Sequence, residues 1–318
     1  MEKPYVIGID IGGTNTVFGI VDKRGNIISR GAIKTQTHAD INLFIDELHG
    51  ELIKLIKSAG GIEKVRGIGV GAPNANYYTG NIEAAANLRW KGIVPLGKLV
   101  SEKFGVPTAV TNDANAAAIG EMTYGAARGM KNFIMITLGT GVGSGIVIDG
   151  KVVYGHDGFA GELGHIISIR NNGRMCGCGR CGCLETYTSA SGMARTAREI
   201  LETSQKDSLL RNLPIDSITS KDVSEAAEKG DEMAKEIFEF TGKILGEALA
   251  DFVAFSAPEA FVLFGGLTKS GNLILDPIVA NMEKNILSLW RGKVKVLFSE
   301  LEESDAAVLG ASALAWEL

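Results

Sequence analysis

Short apolar runs that end at glycine-rich turns recur along the first half of the chain. Tyr5–Asp10 predicts a buried β-strand, Gly12–Thr14 predicts a turn, and Thr16–Val21 predicts a second strand. A hairpin loop and a third strand over Ile27–Thr35 follow. Apolar side chains at a spacing near 3.6 residues then predict a helix over Ile41–Ala59. Strands followed by a helix indicate an α/β fold.

The same pattern begins again near residue 133. Phe133–Leu138 predicts a strand, Gly139–Gly143 a turn, and Ser144–Ile148 a second strand. The Asp149-Gly150 pair is typical of a two-residue hairpin, and Lys151–Tyr154 predicts a third strand. Two copies of one pattern indicate an internal duplication.

The remaining elements extend both copies into α/β units. Further strands are predicted at Val65–Val70, Thr108–Thr111, Ala260–Phe264 and Val294–Phe298, and further helices at Asn115–Tyr124, Ser191–Glu202, Ser220–Lys229, Glu232–Phe255, Leu273–Leu289 and Ala306–Trp316. We expect two α/β domains around a cleft. The smaller comprises residues 1–120 with the C-terminal helix 305–318, and the larger comprises residues 121–304, with a cysteine-rich segment at 165–185.

Composition excludes several classes of protein. With 22% charged and 45% hydrophobic residues, the chain is typical of a globular protein rather than a disordered one. A net charge of −5 without a basic run argues against a nucleic-acid partner. Neither a membrane span nor a secretory leader is visible, so we expect a cytoplasmic protein.

All four cysteines lie within eight residues, at Cys176, Cys178, Cys181 and Cys183. A disulfide framework would spread its cysteines, so this cluster indicates metal ligands. The cysteines alone offer a four-thiolate set, and Cys178-x-x-Cys181 has a spacing typical of zinc sites. A redox-active pair is the alternative.

Three glycine turns that each follow an apolar strand are candidates for phosphate binding. Their residues are Asp10, Gly12, Gly13, Thr14 and Asn15 in the first, Gly139, Thr140 and Gly141 in the second, and Gly265 and Gly266 in the third. Glycine lets backbone N–H groups approach an anion, and the Asp10 carboxylate could hold Mg²⁺. Each turn alone could be a plain hairpin, but together they favour a nucleoside triphosphate such as ATP. No Walker A motif is present.

Asp113 lies between a predicted strand and a predicted helix, in Thr111-Asn112-Asp113-Ala114-Asn115. A carboxylate at this point could accept a proton in phosphoryl transfer. Asp is equally common as a helix N-cap, and the residues alone leave both roles open.

The turns resemble the two phosphate turns and the adenosine turn of actin-like ATPases and sugar kinases. Glu162-Leu163-Gly164-His165 and the motif from Cys176 to Glu185 are similar to motifs of the ROK (repressor, open reading frame, kinase) family. The resemblance runs from Val6 to the last helix. It implies two duplicated actin-like, ribonuclease H-like domains. A family repressor would carry a DNA-binding segment before the first turn, where Asp10 leaves no room for one.

The resemblance also implies roles for individual residues. Asp113 would be the catalytic base. Sugar contacts would come from Asn87, Asn112, Asp113, Glu162, His165 and Glu185. Zinc ligands would be His165, Cys176, Cys178 and Cys183. Cys181 occupies a position that the family leaves variable, so the fourth ligand is either Cys181 or His165.

The implied activity is that of an ATP-dependent hexose kinase with Mg²⁺, a structural Zn²⁺ and a homodimeric assembly. The segment from Asn87 to Trp90 resembles the N-L-x-W segment of family glucokinases, which favours glucose. Kinases for N-acetylmannosamine, N-acetylglucosamine, mannose or fructose are the alternatives, followed by a sugar-responsive regulator.

Overall fold

The computed structural model describes residues 3–85 and 87–318. Met1, Glu2 and Ala86 lie outside the described residues. The strands are β1 (Tyr5–Ile11), β2 (Asn15–Asp22), β3 (Ile27–Lys34), β4 (Val65–Gly71), β5 (Ile82–Glu83), β6 (Ile93–Val94), β7 (Thr108–Thr111), β8 (Phe133–Leu138), β9 (Val142–Ile148), β10 (Lys151–Val152), β11 (Ala260–Phe264) and β12 (Lys295–Phe298). The helices are α1 (Ile41–Ser58), α2 (Leu96–Phe104), α3 (Asp113–Tyr124), α4 (Glu185–Thr188), α5 (Ala190–Thr203), α6 (Ser220–Glu228), α7 (Glu232–Ser256), α8 (Asn272–Asn285) and α9 (Glu303–Leu314).

Two five-stranded sheets have the same topology. Their strand orders are β3-β2-β1-β4-β7 and β10-β9-β8-β11-β12. In the first, β1 pairs antiparallel with β2 and parallel with β4, and β4 pairs parallel with β7. In the second, β11 pairs parallel with both β8 and β12. The matching order confirms the duplication predicted from the repeated strand–turn–strand pattern.

The chain divides into two compact units. One comprises the chain up to Met130 together with Gly145–Gly161 and Ser299–Leu318, and the other comprises Lys131–Ser144 and Glu162–Phe298. The larger predicted domain, residues 121–304, included residues 121–130, 145–161 and 299–304, whereas these belong to the first unit.

Long-range contacts explain this difference. The rings of Tyr77 and Tyr154 stack in parallel with centroids 4.0 Å apart. Asn76 donates from Nδ2 to the carbonyl oxygen of Asp157 at 2.7 Å. Neither contact follows a sequence pattern, so the hydrophobic periodicity of residues 145–161 could not place them.

Helix bounds agree with the prediction to within three residues, apart from α8 and the two helices α2 and α4, which were not predicted. α2 was not predicted, although Leu96, Val100 and Phe104 are buried at helical spacing. α8 ends at Asn285 rather than Leu289, because the backbone of Ile286 is extended.

Across the described ranges, no helix has the length and apolar character that crossing a membrane would need.

β1 presents alternate side chains to two different helical layers. Ile7 and Ile9 are fully buried in the core cluster that also holds Phe44 and Leu48 of α1. Gly8 faces the other way, where an added Cβ would overlap the carbonyl oxygen of Val308 in α9. Asp10, two residues on, shares the face of Gly8 because side chains alternate along a strand.

Glycines allow α9 to lie directly on the first sheet and on α3. A Cβ at Gly69 of β4 would overlap the carbonyl oxygen of Ala311. Gly120 of α3 faces Gly310 of α9, and a Cβ on Gly120 would lie 2.8 Å from the Cα of Gly310. The C-terminal helix therefore sets the position of α3, whose first residue is Asp113.

We expect Gly69→Ala to destabilise the first unit by about 3 kcal/mol or more, because the backbone of α9 must move to admit the methyl group. Gly50→Ala in α1 is the matched control, since nothing lies within 4 Å of an added Cβ there. Removing a helix glycine should stabilise the protein by about 0.5–1 kcal/mol. Denaturant midpoints of the two variants measure both effects, and a Gly69→Ala midpoint equal to that of the unaltered chain would refute the close packing.

Candidate active site

Two carboxylates lie at one edge of the first sheet, where three parallel strands end side by side. Asp10 of β1 pairs with Gly71 of β4, and Gly71 pairs with Thr111 of β7. A Cβ on Gly71 would lie 3.4 Å from Asp10 Oδ1 and 3.8 Å from the Cα of Asp113. The backbone of Gly71 thus lies between the two acids. Ligands of α/β proteins commonly bind where the parallel strands of a sheet end.

Asn112, not Asp113, is the N-cap of α3. Asn112 Oδ1 accepts a hydrogen bond from the backbone N–H of Asn115 at 2.7 Å. Asp113 is the first residue of the helix, and its Oδ1 accepts from the N–H of Ala114 at 2.9 Å. The N-cap interpretation of Asp113 is therefore wrong. The helix is capped by the neighbouring Asn112, since asparagine has the same preference for the N-cap position as aspartate.

Desolvation by the surrounding protein raises the pKa of both carboxyl groups. Desolvation, with a smaller Coulombic contribution from Asp113, raises the pKa of Asp10 to about 7. The Asp113 side chain reaches solvent, yet desolvation by the surrounding protein raises the pKa of its carboxyl as well. A carboxyl group with a raised pKa is a stronger base once ionised, which suits proton abstraction near neutral pH.

The first glycine turn is closed by its own backbone and packed against the loop that carries Asn87. The N–H of Gly12 donates to the carbonyl oxygen of Asn15 at 3.0 Å. Asn15 Oδ1 accepts from Lys34 Nζ at 2.8 Å. A Cβ on Gly13 would lie 3.5 Å from Asn87 Nδ2. This turn and the exposed Asn87 side chain are therefore neighbours within the first unit.

The second and third turns both belong to the second unit. The N–H of Ala190, the first residue of α5, donates to the carbonyl oxygen of Gly139 at 2.9 Å. Gly141 lies close to Glu185 in space, since a Cβ on Gly141 would lie 2.7 Å from Glu185 Oε2. Gly265 has a φ of 109°, which favours glycine, and precedes a 3₁₀ helix over Gly266–Ser270.

A cavity of about 340 Å³ opens beside the second turn. Thr140 and Gly141 line it together with Glu185, Ser191 and Arg195. The positive end of the α5 dipole and the Arg195 guanidinium, which also pairs with Glu199 at 2.8 Å, favour a negatively charged occupant.

His165, Cys176, Cys178 and Cys183 form a cluster of metal-ligand type in the second unit. Their donor atoms all lie within 4.8 Å of one another. Cys178 Sγ lies 3.6 Å from Cys183 Sγ, and Cys176 Sγ lies 3.8 Å from His165 Nδ1. Sulfur ligands at about 2.3 Å from a tetrahedral zinc ion lie about 3.8 Å apart, so this donor set fits Zn²⁺.

Cys181 is not a member of this cluster as found among the described residues. Its side chain is exposed, and its backbone forms an isolated β-bridge with Met175. The geometry thus favours His165 over Cys181 as the fourth member of the ligand set.

Glu162 and Glu185 are positioned by the chain around this cluster. Glu185 Oε1 lies 2.9 Å from Cys176 Sγ and 3.6 Å from His165 Nδ1. Glu162 precedes a 3₁₀ helix over Leu163–His165, whose first N–H donates to Ser144 Oγ at 3.1 Å. Both acids therefore lie on segments that the cysteine cluster or β9 holds in place.

Arg174 is buried and holds the cysteine-rich segment in place, a role that no sequence pattern predicted. Its guanidinium donates to the carbonyl oxygen of Thr186 at 2.8 Å and to Thr196 Oγ1 at 2.9 Å. It also pairs with Glu199 at 2.5 Å and stacks over the Tyr187 ring at 4.6 Å. An arginine in a polar loop carries no signal of burial, so only the structure could assign this role.

Each unit brings together part of the predicted site. The first holds Asp10, Gly12, Gly13, Thr14, Asn15, Asn87, Asn112 and Asp113, and the second holds Gly139, Thr140, Gly141, Glu162, His165, Cys176, Cys178, Cys183, Glu185, Gly265 and Gly266.

Comparisons with known proteins find relatives that match nearly the whole chain. The chain is 37% identical to a glucokinase of Halalkalibacterium halodurans, over 98% of this chain and 94% of the relative. A solved ROK family glucokinase from Streptomyces griseus, in complex with glucose and AMPPNP, superposes with a TM-score of 0.81 at 35% identity, covering 99% of this chain and all of the other. A xylose repressor of Caldicellulosiruptor bescii is 29% identical over 97% of this chain but only 77% of the repressor.

The similarity to the S. griseus structure extends to the whole fold, which is that of the actin-like ATPases. The model of the ROK family matches residues 6–317, which includes every site residue described above. The chain belongs to the ROK family.

Proposed function

We propose that this protein is an ATP-dependent hexose kinase that transfers the γ-phosphate of ATP to the 6-hydroxyl of glucose. The observation that carries the proposal is the placement of Asp113 beside Asp10 where the parallel strands end, with the pKa of both carboxyl groups raised. The glucokinase relative at 37% identity and the glucose-bound glucokinase structure support the choice of substrate.

Asp113 is the proposed general base. Its ionised carboxylate accepts the proton of the sugar 6-hydroxyl as that oxygen attacks the γ-phosphorus, and ADP leaves. Asp113 Oδ1 accepts from the N–H of Ala114, which holds the carboxylate at the start of α3, and the N-capping bond is made by Asn112. The base therefore remains available to a substrate.

The three turns are the proposed ATP site. Gly12, Gly13, Thr14 and Asn15 of the first unit and Gly139, Thr140 and Gly141 of the second would contact the phosphates, and Gly265 and Gly266 would contact the adenosine. Asp10 is the residue that would hold Mg²⁺, directly or through water. When bound, the cation neutralises charge on the transferring phosphate.

The proposed sugar contacts are Asn87, Asn112 and Asp113 in the first unit and Glu162, His165 and Glu185 in the second. Amide and carboxylate groups recognise sugar hydroxyls by hydrogen bonds, and one or two such bonds decide between hexoses. Trp90 supports the Asn87 loop from inside the core, where it is 4% exposed and packs 4.6 Å from the Phe44 ring. Its role is thus to position the loop.

His165, Cys176, Cys178 and Cys183 would hold a structural zinc ion. A closed set of four protein ligands leaves no open position for chemistry, so the bound ion would stabilise the segment that carries His165 and Glu185. We also propose that the protein forms a homodimer. We propose no nucleic-acid partner, in line with the net charge of −5.

A coupled assay of ADP release tests the proposed function. Glucose, mannose, fructose, N-acetylglucosamine and N-acetylmannosamine are compared at equal concentration with ATP and Mg²⁺. We expect the highest kcat/KM with glucose. A higher value with another hexose would reassign the substrate, and no sugar-dependent ADP release with any of them would reject a hexose kinase.

A further inference from the structure

Gln36 joins the first glycine turn to the loop that carries Asn87. Its Nε2 donates to the carbonyl oxygen of Gly13 at 2.6 Å and to the carbonyl oxygen of Asn87 at 2.8 Å. A primary amide nitrogen has two N–H groups, so this side chain can satisfy both carbonyls at once. Both acceptors are carbonyl oxygens, which requires that the nitrogen of the amide, and not its oxygen, faces them.

The two segments that Gln36 joins are distant in sequence but touch one another. The pairs Gln36–Gly13 and Gln36–Asn87 are separated by 23 and 51 positions. A Cβ on Gly13 would lie 3.5 Å from both Nδ2 and the carbonyl oxygen of Asn87. The amide thus lies at a direct contact between the two segments.

A second set of contacts ties the Asn87 loop to the chain around Gln36. Arg89 Nη1 donates to the carbonyl oxygen of Gln36 at 2.8 Å. Trp90 Nε1 donates to the carbonyl oxygen of His38 at 3.3 Å. Gln36 lies in a 3₁₀ helix over Thr35–Thr37 at the end of β3 and is half-buried. These two bonds reach the main-chain carbonyls of Gln36 and His38, so they hold the Asn87 loop against the segment from which the Gln36 side chain extends.

We propose that Gln36 is a positioning residue that couples the nucleotide-phosphate turn to the sugar loop. When a phosphate contacts the backbone of the first turn, the carbonyl of Gly13 is held in one orientation, and the shared amide transmits that orientation to the carbonyl of Asn87. The inference rests on the proposed function, because it takes the first turn as a phosphate site and Asn87 as a sugar contact. Coupling of this kind is reciprocal, so sugar binding must strengthen or weaken nucleotide binding by the same factor.

Gln36→Met tests the proposal, since methionine has nearly the same shape but donates no hydrogen bond. The affinity for glucose is measured by calorimetry with and without AMPPNP and Mg²⁺, and the ratio of the two dissociation constants reports the coupling. In the unaltered protein we expect a ratio that differs from one by about fivefold or more. In Gln36→Met we expect a ratio near one, with glucose affinity in the absence of nucleotide changed less than about threefold.

Thr37→Val is the matched control. Thr37 lies in the same 3₁₀ helix, and its hydroxyl donates to the carbonyl oxygen of Lys34 at 3.1 Å rather than to Gly13 or Asn87. It should retain the coupling of the unaltered protein. A Gln36→Met protein with unchanged coupling, or an unaltered protein with a ratio of one, would overturn the proposal. Should Gln36→Met fold poorly, Gln36→Asn serves instead, because its shorter side chain cannot span both acceptors.

Hydrogen exchange of the ligand-free protein separates this inference from the proposed function. Loss of the shared amide should speed amide exchange in both residues 12–15 and residues 87–92 of Gln36→Met, and in neither segment of Thr37→Val. Faster exchange in only one segment, or in none, would overturn the coupling role. If the unaltered protein shows no glucose-dependent ADP release, the proposed glucose kinase activity is refuted. The hydrogen-exchange result then decides by itself whether Gln36 couples the two segments.

Discussion

Asp113→Asn is expected to lose about 10²- to 10⁴-fold in kcat while the dissociation constant for glucose changes only a few fold. Asparagine keeps the shape and the hydrogen-bonding ability of the side chain but cannot accept the hydroxyl proton at neutral pH. The helix should remain intact, because its N-cap is Asn112 rather than Asp113. ADP release and glucose calorimetry on the same preparation measure both quantities.

The control for this variant is Asp207→Asn, an exposed acid outside the proposed site, which should behave as the unaltered chain. Full turnover by Asp113→Asn would remove Asp113 from the mechanism. If Asp113→Asn instead lost glucose binding by a large factor, the residue would serve to bind the sugar rather than to take its proton.

The pH dependence of the reaction has a defined sign. Asp10 and Asp113 must be ionised for metal binding and proton abstraction, and the pKa of each is raised. The value of kcat/KM should therefore fall as the pH decreases through about 7, the pKa of Asp10. The raised pKa values also affect the stability of the ligand-free protein, because the folded state binds the carboxyl protons more tightly than the unfolded state. For Asp10 this stabilising contribution is complete below the unfolded pKa near 3.8 and is lost as the pH rises through about 7.

Asp113→Asn also changes its neighbour. Because the charge of Asp113 contributes to the raised pKa of Asp10, its removal should lower the pKa of Asp10 in part, with desolvation retaining the larger share. Carboxyl carbon chemical shifts across a pH titration would measure this. A pKa of Asp10 that does not move would contradict the proximity of the two acids.

Cys178→Ser is expected to abolish stoichiometric zinc and to reduce kcat/KM by about 100-fold. Serine is a poor zinc ligand, and loss of one ligand from a closed tetrahedral site costs most of the metal affinity. Without the ion, the segments that carry His165 and Glu185 lose a shared support. Metal analysis by mass spectrometry should find about one zinc per unaltered chain and well under one in the variant.

Cys181→Ser is a closely matched control, since both thiols are exposed and lie within four residues of each other. It should retain about one zinc per chain and its activity. Zinc loss in Cys181→Ser would identify Cys181 as a ligand, and an active, metal-free Cys178→Ser would reject the structural role of the ion. Activity that responds to a thiol reductant in the unaltered protein would favour the redox pair instead.

The candidate site was predicted best where its residues are close in sequence. The cysteine cluster spans eight residues, and each glycine turn directly follows its strand, so short patterns suffice to find them. The choice between Cys181 and His165 could not be made in this way, because the sequence does not say which side chains converge on one point. Asn112 and Asp113 posed the same difficulty, since adjacent residues with equal capping preference cannot be separated by propensity.

The sequence by itself determined the α/β class, the duplicated strand–turn–strand pattern and the local chemistry of the turns and cysteines, because periodicity and contiguous motifs depend on neighbours along the chain. Only the tertiary structure decided that residues 145–161 join the first unit, that Arg174 is buried, and that Gln36 touches two distant segments. These features arise where surfaces far apart in sequence meet. Their contacts are set by the packing of whole elements, as with α9 on the glycines of β1 and β4, rather than by any local pattern.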